Sequence, residues 1–170
     1  LDKWKHYYCR RRRTHQLRKM TTTEILNLLP YSPPFLFADE LCEISDDGVK
    51  GTYTYKPDEF FYQGHFTNFP ITPGVILTET MAQIGAVCLG IYLFRDQMHG
   101  PEIPQIALTS VEINFHAPVF PGEKVTVISQ KKYFRFNKLC CAVEMRNSHD
   151  IIVCSGSISG FIKSKKCKAE

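Results

Sequence analysis

Apolar and polar positions divide the chain into strand-like segments on either side of one long apolar block. From Val75 to Phe94 only Thr78, Glu79, Thr80 and Gln83 interrupt the apolar run, which Pro73-Gly74 opens. Pro73 presets the backbone for a helix start, and a rise of about 1.5 Å per residue predicts one helix roughly 30 Å long, ending near Phe94 or Arg95. A helix apolar on every side must be surrounded by protein. Before it, strand-like segments at 35–44 and 49–55 flank the turn signal Asp46-Asp47-Gly48. After it come segments at Ile106–His116, Lys124–Phe136, Leu139–Arg146 and Ile151–Ile162, punctuated by Pro121-Gly122, Asn137 and Asn147-Ser148-His149-Asp150. Alternation in Val125/Val127 and Cys141/Val143/Met145 predicts one buried sheet face. A short helix carrying Ile25, Leu26, Leu28 and Leu29 starts at the capping-box pattern Thr21-x-x-Glu24 and stops at Pro30. Long antiparallel strands wrapped around one buried helix give an α+β architecture with a single core.

The length of 170 residues and 44% hydrophobic content suit one globular domain. The net charge of +4 hides an asymmetry: residues 1–19 carry eight Lys/Arg against Asp2, whereas residues 20–170 are net negative. We therefore expect a basic extension over 1–19, disordered because it lacks apolar periodicity, and a folded domain over 20–170, with Met20 a natural start. Trp4, Tyr7 and Tyr8 beside Arg10-Arg11-Arg12-Arg13 would suit nucleic acid or an anionic membrane. The extension is too short for a helix-turn-helix domain, and neither nucleic acid nor a membrane is expected as a partner. No signal peptide is expected, because no apolar stretch with a small-residue cleavage site follows the basic segment. The longest unbroken apolar run, Ile84 to Phe94, has 11 residues and is too short to cross a bilayer. Seven cysteines form an odd set without a CxxC pair, which reads as reduced thiols in a cytoplasmic protein.

The chemistry concentrates around the start of the long helix. Glu79 is a carboxylate about one and a half turns into an apolar helix, which is costly unless protonated, paired or hydrogen-bonded. Gln83, four residues on, shares its face and can orient it; a purely structural polar pair would show the same pattern. His65 lies in the apolar run Phe60-Phe61-Tyr62-Gln63-Gly64-His65-Phe66, where a satisfied core histidine is the competing reading. The unpaired N–H groups that begin at Gly74 offer a site for an anion or a carbonyl oxygen. A neutral imidazole, a carboxylic acid and an oxyanion donor are what β-elimination from a thioester requires. No histidine pair has metal-ligand spacing, no Gly-x-Ser-x-Gly elbow occurs and no phosphate-cradling loop is present, so no metal and no cofactor are expected.

The stretch from Phe60 to Phe66, followed by Pro70-Ile71-Thr72-Pro73-Gly74-Val75-Ile76-Leu77-Thr78-Glu79-Thr80-Met81-Ala82-Gln83, resembles the signature of bacterial 3-hydroxyacyl-[acyl-carrier-protein] dehydratases. Leu29-Pro30 with Pro34-Phe35-Leu36-Phe37-Ala38-Asp39, and Asn114 to Glu123, resemble two further motifs of that family. The resemblance runs in order and spacing from about Leu28 to Gly160. It implies a hot-dog fold, a long central helix wrapped by an antiparallel sheet, assembled as a homodimer or a trimer of dimers with sites shared between subunits. It implies His65 and, from the partner subunit, Glu79 as the catalytic pair, Gly74 as the thioester-carbonyl donor, Gln83 as support for the acid, and Phe66 and Val75 beside Gly74 and Gln83 in the substrate site. The implied reaction dehydrates (3R)-3-hydroxyacyl groups on acyl carrier protein to trans-2-enoyl thioesters, in fatty-acid or related lipid and polyene biosynthesis. Glutamate rather than aspartate at position 79 points to dehydration without isomerisation. Departures are Tyr31-Ser32 for His-Arg, Thr67-Asn68 for Pro-Gly, and His116-Ala117 for a basic pair; Asn68 is expected to keep the turn by adopting left-handed backbone. A hot-dog acyl-thioesterase using Glu79 to activate water, and a non-catalytic acyl-thioester sensor, are the competing functions, since a fold does not fix an activity.

Overall fold

The computed structural model describes residues 20–98 and 103–165; the basic extension 1–19 lies outside them. Its first element is α1 (Thr22–Asn27). The capping box forms as expected: the Thr21 hydroxyl accepts from Glu24 N at 3.2 Å, and the Glu24 carboxylate accepts from Thr21 N at 2.8 Å. Strands β1 (Glu40–Ile44) and β2 (Gly48–Thr54) follow, then a single 3-10 turn at Phe60–Gln63. The central helix begins as α2 (Gly74–Met81), widens to π-helical spacing over Ala82–Cys88, and resumes as α3 (Leu89–Phe94) before a final 3-10 turn at Arg95–Gln97. Four long strands complete the chain: β3 (Ile103–Phe115), β4 (Lys124–Arg135), β5 (Lys138–Asn147) and β6 (Ile152–Lys165).

The six strands form one antiparallel sheet in the order β1-β2-β4-β5-β6-β3. Its inner face, including Val125, Val127, Leu139, Cys141, Val143, Met145 and Ile158, closes over Met81, Ile84, Leu89 and Ile91 of the helix. Edge-to-face rings Phe37–Tyr53, Tyr53–Tyr55 and Tyr55–Phe61 fill the end of this core nearest the helix start. The continuous helix Gly74–Gln97 has 24 residues and is apolar enough to cross a membrane by length and composition, yet it is wrapped by the protein's own sheet, with 78% of its most apolar window buried. The expected α+β hot-dog architecture is the one observed.

Two local expectations are corrected. Residues 35–39 are not strand; pairing begins at Glu40, and the backbone at Phe37 and Phe35 bonds the Gln83 side chain instead of a neighbouring strand. The central helix is not uniformly α. Within its π segment the Gly85 carbonyl accepts from the Ser129 hydroxyl of β4 at 2.9 Å, and a Cβ on Gly85 would come within 3.1 Å of Ser129 and Val143. A sheet hydroxyl thus takes a carbonyl in the widened helical ladder, and glycine allows the close approach.

At the edge of the sheet, β3 runs for 13 residues with no strand on its outer side among the described residues. Leu108, Val111 and Phe115 on this strand are exposed. A long edge with unpaired backbone groups and apolar side chains is a template for pairing with another strand.

Candidate active site

The segment that carries His65 is folded by short-range backbone bonds. Gly64 N and His65 N both donate to Phe61 O, at 3.3 and 3.0 Å, closing the 3-10 turn. Phe66 N bonds Phe69 O and Phe69 N bonds Phe66 O, at 3.2 and 3.1 Å, which closes the next loop with Thr67 and Asn68 at its tip. Left-handed backbone occurs among the described non-glycine residues at Phe136, Asn137 and Asp150, not at Asn68. The expectation for Asn68 is therefore corrected: the reciprocal Phe66–Phe69 bonds make the turn without it. The His65–Phe66 peptide is cis, and the two rings stack at 4.0 Å.

His65 is half-buried and its tautomer is set by one contact. Nδ1 lies 3.0 Å from Ile71 O, and a carbonyl oxygen can only accept. In the neutral ring Nδ1 therefore carries the proton and Nε2 the lone pair. Nε2 has no partner among the described residues. Ile71 N in turn donates to His65 O at 3.2 Å, so residues 65 and 71 clamp each other.

From Ile71 the chain enters the helix. Thr72 N donates to Val119 O at 2.8 Å, and the Thr72 hydroxyl bonds the Tyr62 hydroxyl at 2.6 Å, both in buried surroundings. Pro73 is the N-cap, and Ile76 N and Leu77 N donate back to Pro73 O. The N–H groups of Gly74 and Val75 find no acceptor among the described residues. The Phe115 ring lies over Gly74, where a Cβ would stand only 3.0 Å from it. Glycine at 74 thus lets an aromatic wall approach the free N–H groups.

The burial pattern through α2 has helical period. Ile76, Leu77, Thr80 and Met81 are buried, while Gly74, Val75, Thr78 and Glu79 form an accessible stripe. Val75 is 76% exposed. Glu79 is thus half-exposed on the one open face of an otherwise enclosed helix, and the burial cost expected for its carboxylate is smaller in the structure. Gln83 is 0% exposed and its amide is fully committed. Oε1 accepts from Phe37 N at 2.8 Å, and Nε2 donates to Phe35 O at 3.0 Å and to Glu79 Oε1 at 2.9 Å. Gln83, expected in the substrate site as support for the acid, is buried beneath Glu79 and bonds its carboxyl.

His65, Phe66, Gly74 and Val75 gather at the helix start, with Glu79 one turn further along the accessible stripe. No hydrogen bond or ion pair joins His65 to Glu79 among the described residues. Phe66, Phe69 and Phe120 leave apolar surface nearby, the latter two in edge-to-face contact at 5.9 Å. Tyr31, one of the departures from the family motif, lies close to the Glu79 carboxyl. Its phenol is pushed up to about 12, chiefly by burial and then by the negative charge of Glu79, which places it in the field of the carboxylate. Among the described residues no group of three or more His, Cys, Asp or Glu side chains could hold a metal ion. A groove of about 700 Å³ between the β1–β2 turn and β4 contains none of these site residues.

Comparison with known proteins identifies the family. The family model of the FabA-like domain matches residues 29–150. The chain is 32% identical over 143 residues to the 3-hydroxyacyl-[acyl-carrier-protein] dehydratase FabZ of Clostridium perfringens, covering 82% of this chain and 96% of that one. In three dimensions it resembles the dehydratase heterocomplex ApeI:P of Xenorhabdus doucetiae, with a TM-score of 0.70 at 13% identity over 86% of this chain and 94% of that one. A thioesterase of Haemophilus influenzae superposes with a TM-score of 0.64 at 14% identity, over 89% and 98% of the two chains. At such identities the structural likenesses speak to the fold alone.

Proposed function

The chain belongs to the FabA-like domain family, and on that premise we propose that His65 and Glu79 act together in the dehydration of (3R)-3-hydroxyacyl thioesters carried on acyl carrier protein. The activity is that of a hydro-lyase of fatty-acid or related lipid synthesis: water leaves across carbons 2 and 3, and a trans-2-enoyl thioester remains. The observation that carries the assignment of roles is the His65 contact to Ile71 O, which fixes the proton of the neutral imidazole on Nδ1 and so turns the Nε2 lone pair toward the substrate as the base.

Nε2 of His65 removes a proton from carbon 2. The electron pair moves toward the thioester oxygen, where the free N–H of Gly74 at the positive end of the helix receives the developing charge. The carbon 3–oxygen bond breaks as the Glu79 carboxyl delivers its proton to the departing hydroxyl, which leaves as water. The proton taken up by His65 is then returned to Glu79 to close the cycle. Gln83 holds one carboxyl oxygen, so that the other can address the substrate. Phe66 and Val75 flank the acyl group as apolar walls.

The same reading completes the site with a second copy of the chain. Support comes from the lack of any His65–Glu79 link within one subunit, the open stripe of Val75, Thr78 and Glu79, and the unpaired apolar edge of β3. A homodimer is the smallest assembly that meets this requirement, and three such dimers could associate without altering it. A cytoplasmic setting belongs to the same reading, and all five cysteines of the described residues are free.

The test is to incubate the protein with 3-hydroxyacyl carrier-protein substrates of several chain lengths and to follow loss of water by mass. Enoyl formation is the expected outcome. Release of free carrier thiol without an enoyl product would establish a thioesterase instead, and tight binding without turnover would establish a sensor.

A further inference from the structure

The turn between β4 and β5 carries the most exposed large apolar side chain of the described residues: Phe136 is 95% exposed. Its backbone is unfavourable as well. Phe136 and Asn137 have φ of 51° and 59°, a two-residue turn suited to asparagine or glycine and costly for phenylalanine. A benzyl group is thus held in water, on strained backbone, with little intramolecular packing in return. Around it, Tyr133 and Phe161 are exposed aromatics, and with Arg135, Phe136 and Lys138 they line an open groove of about 610 Å³. A register shift between Lys131 and Tyr133 sets Lys132 outside the regular pairing, where it is exposed. No carboxylate lines the groove. The acidic turn nearby is already engaged, Asp46 with Arg95 and Asp47 with Lys131.

The position of this tip separates it from the catalytic residues of its own subunit. Lys138 pairs with Phe161, and Phe161 with Ala107, near the start of β3. Gly74 packs under Phe115, at the other end of that strand. From Ala107 to Phe115 the strand advances roughly 26 Å at 3.3 Å per residue.

We propose that the β4–β5 hairpin tip docks the protein peripherally on bilayers that contain anionic lipid, inserting Phe136 at the headgroup–acyl boundary. Tyrosine and phenylalanine partition into that zone, and Arg135, Lys138 and Lys132 meet lipid phosphates around them. A protruding side chain needs a matching pocket in a folded partner, whereas a bilayer deforms to receive it. The eight basic residues of the extension 1–19 add attraction of the same sign. This proposal departs from the expectation that no membrane is a partner.

The experiment is flotation of the full chain with phosphatidylcholine vesicles and with mixed phosphatidylcholine–phosphatidylglycerol vesicles, comparing the parent, Phe136→Gly, and Arg135→Glu with Lys138→Glu. Glycine relieves the left-handed backbone, so the first variant is not expected to lose its fold. The parent should float with mixed vesicles, far less with phosphatidylcholine alone and less at high salt. Each variant should lose about tenfold or more in partitioning while keeping its turnover of carrier-bound substrate. Four results would overturn the proposal. The parent could fail to bind mixed vesicles. Binding could survive in both variants, which would assign it to the extension 1–19. The variants could change the oligomeric state in light scattering, which would make the tip a contact between copies of this chain. They could raise KM for carrier-bound substrate with vesicle binding unchanged, which would make the tip a carrier dock.

Discussion

Replacing Gln83 by leucine tests the link between the buried core and the catalytic carboxyl. The substitution keeps side-chain volume on the helix and removes three hydrogen bonds at once. Phe37 N loses its acceptor beside a side chain that is 0% exposed, and an unsatisfied buried N–H costs about 1–3 kcal/mol. The carbonyl of Phe35, an exposed residue, can recruit water, so its loss adds no more than about 0.5–1 kcal/mol. Glu79 loses a hydrogen bond worth about 1 kcal/mol. Added leucine burial returns about 1 kcal/mol. The net expectation is a loss of about 3 kcal/mol, equivalent to a melting temperature lower by roughly 6–12 °C for a chain of this size. Glu79, released from its anchor, should also lower kcat by about tenfold with little change in KM, because the acid is needed mainly in the transition state. The assay is urea and thermal denaturation of parent and variant at one protomer concentration, since the stability of an assembling protein depends on it, together with steady-state kinetics. Gln83→Glu restores an acceptor for Phe37 N but sets a second carboxyl against Glu79, so it should recover part of the stability and little of the rate. A Gln83→Leu protein within about 0.5 kcal/mol of the parent and with an unchanged kcat would refute the positioning role.

Three further outcomes are expected. His65→Ala and Glu79→Gln should each lower kcat by about a hundredfold or more with the melting transition retained; near-parental rates in both would remove the pair from the mechanism. The two inactive proteins, unfolded together and refolded as mixed dimers, should regain part of the activity, because one site then holds both native groups; no recovery despite proven subunit exchange would place each site within one chain. Stability should fall on the alkaline side, because burial pushes the Cys141 thiol up to about 11, the Cys154 thiol to about 12 and the Cys88 thiol higher still. The fold favours their protonated forms, so their contribution is complete below the ordinary thiol value of 9.0 and is lost as pH climbs toward the raised values. Melting curves unchanged between about pH 8 and pH 11, or equally steep in a Cys88→Ala, Cys154→Ala variant, would contradict this.

Much of the architecture was legible because its signals are local. The capping box at Thr21 and Glu24 is read within one turn, Pro73-Gly74 marks the helix start, and the apolar character of Val75 to Phe94 announces burial on all sides. Strand limits for β4 and β5 came within one or two residues, because turn residues bracket them and one face alternates. The order of motifs from Leu28 to Gly160 was enough to name the family, and the family model matches residues 29–150. The identities of His65, Gly74 and Glu79 as candidates also follow from residue type and spacing along the chain.

What the tertiary structure decided depends on partners far away in sequence, to which periodicity is blind. That Phe35 and Phe37 bond a side chain 46 to 48 residues later, rather than a strand, follows from where the helix lies against them. That contact buries Gln83 and adds two backbone partners to the bond with Glu79 that their spacing already suggested. The half-exposure of Glu79 arises because Ile76, Leu77, Thr80 and Met81 turn into the core and leave the stripe of Val75, Thr78 and Glu79 accessible. The tautomer of His65 is set by a carbonyl that only the folded loop brings to Nδ1. Sheet order carries the basic β4–β5 hairpin to the end of β3 remote from the Gly74 of its own subunit. Local sequence chooses helices, strands and turns because their energetics lie within a few residues. The direction in which each functional side chain faces is set by packing of the whole sheet about the helix, and only the folded chain contains that information.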